Sequence, residues 1–383
     1  MAHVAASYSL VRVGRLEQAI ELLRPLVDSG VLPAADESWD QWAMLECLVA
    51  ALVFVGRLGE ADQLLARAYD LVVDEAAAEA RAHIAHSLAI LHLEQGRPLS
   101  AFRRASESYM LFLQLGRSSA ARWPYIAAVQ ALALSGKVDR ATATLAAHDA
   151  LHLPTILLNE TDLLRARAWT AAAGGDLPGA RHQLEVAAEL GERIGDLLGA
   201  TNTLHSLARF GHARQVADRL AHLAAQIDGP LVAARAEYAN AVAVRDSEAL
   251  EKVSQDFEDL GTVLYAAEAS AEAAVAFRRA GKLRKAAAAE QRAAQLLARC
   301  EGATNPAVET ITARVRLTPG ELDAALQAAA GRTNKEIASD MYLSVRTVES
   351  HLQRAYDKLG ISGRHELAEA PRDQPTAESG TSS

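Results

Sequence analysis

Across 383 residues the chain carries 39 Lys and Arg against 48 Asp and Glu, a formal net charge of -9, with half of its residues apolar and 5% aromatic. The acidic balance excludes a generally basic nucleic-acid coat, the abundance of alanine over aromatics argues against a sheet-rich fold, and the length leaves room for two or three domains. Two cysteines in no ligand spacing, Cys47 and Cys300, point to a reduced cytoplasm, and the longest apolar stretch, near Cys47 to Val55, is too short to span a membrane.

From residue 1 to about 300 an internal period runs through the chain. Gly14-Arg15-Leu16, Gly56-Arg57-Leu58, Gly96-Arg97-Pro98-Leu99, Gly136-Lys137-Val138, Gly175-Asp176-Leu177, Gly211-His212 and Gly281-Lys282-Leu283 each separate two amphipathic runs, at intervals of 42, 40, 40, 39, 36 and 70 residues. The last interval is two units long, with Asp246 at the missing position. Five residues after the glycine stands Ala19, Ala61, Ala101, Ala141, Ala180 or Ala286, with Val216 in one unit. Glycine supplies the positive φ that ends one helix, and a small residue one turn into the next lets the two axes approach. A lone helical hairpin cannot cover its apolar faces, whereas a stack of them forms a continuous core. The pattern therefore predicts an all-α fold with a solenoid of about eight helical hairpins, and it resembles tetratricopeptide-type repeats.

The first helices of such a solenoid line its concave side, so Tyr109, Tyr125, Arg165, Arg167, Trp169 and Tyr238 are candidates for a partner groove that takes a protein or small-molecule effector. Only about a dozen residues precede Gly14, too few for a full first helix; the chain either begins inside a longer ancestral protein or has this face covered by a partner. No catalytic set emerges. Gly136-Lys137 and Gly281-Lys282 lack the upstream Gly and following Ser/Thr of a phosphate loop. His83, His86 and His92 share a helix without a third ligand of fixed spacing, so neither metal nor cofactor is expected.

Residues 301–316 break the helical periodicity and read as a linker, and Pro371 to Ser383 reads as a disordered tail. Between them, Thr318-Pro319-Gly320-Glu321 opens a helix with a capping box and proline in its first turn. Thr333 and Glu336 form a second capping box, starting a helix at Asn334 that runs to about Met341 and buries Ile337, Ala338 and Met341. Ser344 caps a third, in which Val345, Val348, Leu352, Ala355 and Leu359 make one apolar stripe before Gly360 stops the helix. Its opposite face carries Arg346, Glu349, Ser350, Gln353 and Asp357, the face that a DNA major groove could receive.

These residues resemble the LuxR-type helix-turn-helix domain over 317–370. The similarity lies in Leu317-Thr318-Pro319-Gly320-Glu321, Gly331-Arg332-Thr333-Asn334-Lys335-Glu336-Ile337-Ala338, Ser344-Val345-Arg346-Thr347-Val348-Glu349-Ser350-His351, Lys358-Leu359 and Arg364. The resemblance implies a non-enzymatic, cytoplasmic transcriptional regulator binding double-stranded DNA as a homodimer. It places Arg346, Glu349, Ser350 and Gln353 at base edges, and Thr333, Asn334, Lys335, Thr347, Arg354, Lys358 and Arg364 at phosphates or in the domain frame. It extends to the C-terminal part of large ATP-binding LuxR regulators, here without the ATPase domain.

Three departures bear on competence. The first helix of this domain carries Ala324, Ala325, Gln327 and Ala328 where large aliphatics are common, leaving a weak core unless Leu326 turns inward. Thr312 to Ala370 holds eight basic and eight acidic residues, and the dimer-forming fourth helix has room only from about Arg364 to Ala370. A helical-repeat scaffold with a degenerate DNA-binding domain is the alternative.

Overall fold

The computed structural model describes residues 2–28, 39–71, 78–304, 317–359 and 363–367. The expected linker from 305 onward, the Gly360 stop, the last residues of a fourth helix and the C-terminal tail lie outside them. Among the described residues all regular structure is helical. The sixteen helices before residue 300 pair as eight hairpins: α1 (Ala2–Arg12) with α2 (Leu16–Asp28), α3 (Trp39–Val55) with α4 (Leu58–Leu71), α5 (Ala78–Glu94) with α6 (Pro98–Gln114), α7 (Ser118–Leu134) with α8 (Val138–Asp149), α9 (Leu157–Ala173) with α10 (Leu177–Ile194), α11 (Leu197–Leu207) with α12 (Ala213–Ala224), α13 (Pro230–Val244) with α14 (Ser247–Asp259), and α15 (Val263–Arg279) with α16 (Leu283–Leu297). This is the helical-repeat architecture that the period predicts.

All seven predicted turn glycines have positive φ, and the residue five positions on is buried in every unit, at 0 or 1% exposure from Ala19 to Ala286, Val216 included. The same register recurs at turns between hairpins, which the sequence reading passed over. Gly116, Gly195 and Gly261 also have positive φ, and Ala121, Ala200 and Ala266 are fully buried. The real unit of the pattern is thus one turn and one helix. The missing glycine falls one residue earlier than expected: Arg245 adopts the left-handed conformation, at φ 61, and Asp246 caps α14, accepting from the amides of Glu248 and Ala249. The alternation lapses at α8, which buries only Ala141, and α9 packs on α10 and α7 far more than on α8.

The stack coils upon itself, so that successive repeats of its second half lie against successive repeats of its first. At Gly14 (φ +81) a Cβ would sit 2.4 Å from Ile227, and at Gly229 (φ +101) one would sit 2.7 Å from the Val55 carbonyl; only glycine permits either approach. The Asp228 amide donates to the Gly14 carbonyl at 3.0 Å. Charges sit inside this seam. Arg12 donates to Asp162 and Thr161, each at 3.0 Å, and to Asp196. Arg235 donates to Glu94 at 2.6 Å and to Asn202, while the Tyr265 hydroxyl donates to the same Glu94 oxygen at 3.1 Å. Nearby, Arg209 grips Glu268 through two bonds of 2.6 Å and lies 4.4 Å over the Trp169 ring.

Candidate nucleic-acid interface

The described residues of the C-terminal domain form three α-helices, α17 (Pro319–Ala329), α18 (Asn334–Asp340) and α19 (Val345–Leu359), followed by a 3-10 turn, Arg364–Glu366. Both capping boxes form. The Glu321 carboxylate accepts from the Thr318 amide at 2.9 Å and that of Glu336 from the Thr333 amide at 2.7 Å, while each threonine hydroxyl accepts from the amide of its glutamate. The bonds from Thr333 hold the Glu336 carboxyl below its ordinary pKa. Ser344 accepts from the Thr347 amide at 3.1 Å and shares a hydrogen bond with its hydroxyl. Each helix thereby satisfies amides that its start would leave without partners.

Ile337, Val348, Leu352 and Leu367 supply the larger core side chains, with Ala324, Ala325, Ala328, Ala338 and Ala355 filling the rest. Met341 is packed at the edge. Leu326 points outward, 57% exposed, so α17 offers the core alanine alone. The expected stripe on α19 loses its first member: Val345 is 37% exposed, against 0% for Val348 and 3% for Leu352. The Leu359 side chain lies outside the described residues. Gly320 lets the His351 ring lie 3.4 Å from where its own Cβ would be, which gives His351 a packing role.

The residues expected at base edges share one open face. Arg346, Glu349, Ser350 and Gln353 are all exposed, as are Lys335 and Arg354, although α16 approaches α19. The remaining candidates sit in the frame. Asn334 accepts from Arg364 at 3.1 Å, and Arg364 also donates to the Ala328 and Arg332 carbonyls, tying the end of α17 to the start of α18. Thr333 and Thr347 are engaged in the caps, and the Lys358 side chain lies outside the described residues. Two residues escaped the sequence reading. Arg332 joins Gln327 at 2.7 Å to Asp340 at 3.0 Å, and Tyr342, in the turn before α19, has φ 55 and is 95% exposed.

The six groove candidates do not converge. Tyr109 lies on α6, a second helix rather than a first, and stacks on Tyr125 with ring centroids 4.2 Å apart. Arg165 pairs with Asp162 at 3.0 Å and Arg167 with Asp149 at 2.7 Å. Trp169 and Tyr238 are core residues, 2% and 1% exposed, with the Trp169 indole donating to Ser206 at 3.3 Å. Trp169 packs against Phe210 and Arg209 of the next hairpin, and Tyr238 against His205 and Phe257, so neighbouring repeats fill the space into which they were expected to face. His205 lies edge-on to Tyr238 and Tyr265, and burial followed by the Arg235 and Arg209 charges pushes its pKa well below the ordinary value. On α5, His83 and His86 each bring a ring nitrogen to within about 3 Å of Glu46 Oε1. Burial raises the Glu46 pKa, but the two imidazoles outweigh it, to about 2. Among the described residues no three His, Cys, Asp or Glu side chains could hold a metal ion, and no helix is long and apolar enough to cross a membrane.

Residues 315–370 match the family described as bacterial regulatory proteins, luxR family. The C-terminal domain is of the LuxR helix-turn-helix type. An HTH-type transcriptional regulator of Mycobacterium bovis is 40% identical over 62 residues, 16% of this chain and 7% of its own length. The spore germination protein GerE of Bacillus subtilis is 48% identical over 33 residues, 9% of this chain and 45% of its own. The chain thus spans a small fraction of the mycobacterial relative and under half of GerE. The helical repeats match the crystal structure of a Rap protein complexed with competence and sporulation factor, with a TM-score of 0.50 and 13% identity over 78% of this chain and 97% of the other. At that identity the match speaks for the helical-repeat fold alone.

Proposed function

We propose that the chain is a cytoplasmic, non-enzymatic transcriptional regulator, in which residues 317–370 bind promoter DNA and residues 1–300 form a sensor or partner-binding module. The observation that carries this reading is the exposed polar face of α19, set on two intact capping boxes inside a LuxR-type domain. Gln353 suits adenine, Glu349 accepts from the cytosine amino group, and Arg346 and Ser350 complete the base-reading set. Lys335, Thr347, Arg354 and Lys358 serve phosphates, while Thr333, Asn334 and Arg364 hold the frame. With balanced charge in the domain, affinity rests on local placement of these cations and on two copies acting together as a homodimer. The closed seam of the solenoid supports a sensor whose inner face opens only when an effector parts its halves.

One observation favours a second reading, a scaffold with a degenerate DNA-binding domain: the apolar residues that α17 buries are all alanines, and Leu326 is left in solvent. Genomic footprinting of the tagged full chain, repeated with the segment after Arg316 deleted, separates the two. Sequence-specific peaks that vanish on deletion support regulation; identical unstructured profiles leave the scaffold. Gln353→Ala should cost about 1 to 3 kcal/mol at one base position, whereas Lys335→Ala should weaken all sequences alike and lower the salt dependence. Titrations of each variant against matched and mismatched duplexes at several salt concentrations check this.

A further inference from the structure

Two apolar side chains at the front of α19 stay outside the buried core of the domain. Val345 falls in register with the buried stripe yet is 37% exposed. Tyr342, three residues earlier, is 95% exposed and holds φ +55, a conformation that disfavours any residue with a Cβ and that Gly331 supplies before α18. A large aromatic kept in a strained turn with its ring in water is not explained by packing, and such outliers cluster at functional sites. Val345 stands one position from Arg346 and four from Glu349 on the same helix, so it adjoins the exposed polar face. Tyr342 lies at most about 10 Å from it along the chain.

We infer that Val345 and Tyr342 form an apolar lip of the DNA-reading face, in which Val345 takes up the C5-methyl of a thymine and Tyr342 lies against the adjoining sugar-phosphate backbone. This rests on the DNA-binding reading above. In helix-turn-helix complexes the first residues of the second helix meet base edges. Among base edges in the major groove, only thymine presents a methyl group, and apolar side chains are its partners. The polar residues beside Val345 find donors and acceptors on neighbouring base pairs, so the lip adds a methyl contact to a set that otherwise reads hydrogen-bonding groups. Tyr342 brings a ring with a polar tip, suited to a surface that is apolar at the sugar and wet at the phosphate.

The test begins with selection of bound sites from random duplexes by the full-length chain. In the selected duplex each thymine is then replaced singly by deoxyuridine, which removes the methyl and nothing else. The parent should lose about fourfold in affinity at one thymine, the worth of one buried methyl-sized group. Val345→Ala should lose that sensitivity and Val345→Ile should keep it. Tyr342→Gly should bind all sequences more weakly while melting no earlier than the parent, because glycine relieves the turn. Val345→Ala retaining the deoxyuridine effect, a selected site indifferent to every thymine methyl, or Tyr342→Gly binding like the parent each overturns the lip while leaving DNA binding intact. A Val345→Asp variant that changes the oligomeric state without changing the deoxyuridine profile also overturns it, making the patch a contact between copies. Failure to enrich any site overturns DNA reading and the lip together.

Discussion

In the helical-repeat region arginines go inside: Arg235 is 1% exposed and Arg209 6%, each closed by a carboxylate from a distant helix. In the LuxR-type domain Lys335, Arg346 and Arg354 stay at the surface, and the interior is four larger side chains among alanines. A repeat region can cross-link its two halves through charges because many other contacts share the cost of desolvating them. A domain of some fifty residues has no such reserve, and its order depends on caps, a single arginine frame and a few apolar contacts. The first region is stable but vulnerable to the loss of one buried partner. The second is marginal and sensitive to small losses at its helix starts.

The largest effect should come from breaking the seam on one side. Arg235→Ala leaves Glu94 buried without its cation and should cost about 4 kcal/mol; Arg235→Met combined with Glu94→Leu should recover most of it, as read from urea midpoints of the full chain. If Arg235→Ala unfolds with the parent, the seam does not hold the halves. Next, Ile337→Ala removes the fully buried centre of the small domain, for about 3 kcal/mol. Hydrogen exchange should show residues 317–359 open while α3 to α15 keep their protection.

A pH series sharpens the contrast. His205 has its folded pKa well below the ordinary 6.5, so the unfolded chain takes up the proton first. Stability is therefore full above that value and falls as pH drops through it, by up to about 1.4 kcal/mol per pH unit until the folded pKa is reached. His205→Phe should lessen the slope of repeat-region stability between pH 6.5 and 5, measured by denaturant unfolding. A slope equal to the parent's removes His205 as its source. The smallest effect is a cap: Thr333→Ala should cost about 1 kcal/mol. Asp246→Ala should cost about as much in the repeat region. Only the first should give a measurable rise in exchange of its domain, because only there is the loss a large share of the total.

Much of this was legible where the signal is local. The turn glycines and the alanines five residues on define helix pairs through one turn of chain, and the S/T-x-x-E boxes name their own partners. What stayed hidden depends on distance. Arg12 meets Asp196 across 184 residues and Arg235 meets Glu94 across 141, and nothing near an arginine in sequence distinguishes one that will be buried from one that will be solvated. Trp169 and Tyr238 were expected in an open groove because the repeat period does not say which first-helix side chains the next hairpin covers. Within the LuxR-type domain the polar face of α19 was readable from its 3.6-residue period, but Val345 matched the buried stripe and is 37% exposed at the first position of the helix. Tyr342 was missed because an aromatic in a left-handed turn contradicts the rule that normally marks such turns.

If the repeats act as the proposed sensor, the seam also sets a thermodynamic threshold. A molecule that needs the inner face of the repeats competes with the chain itself, so its apparent dissociation constant is the intrinsic one divided by the fraction of molecules already open. Each 1.4 kcal/mol or so by which Arg12, Arg235 and the Gly14 and Gly229 contacts favour closure raises the required concentration tenfold. Adjusting the strength of those few contacts would shift the dose at which such a molecule acts without altering a single atom that touches it.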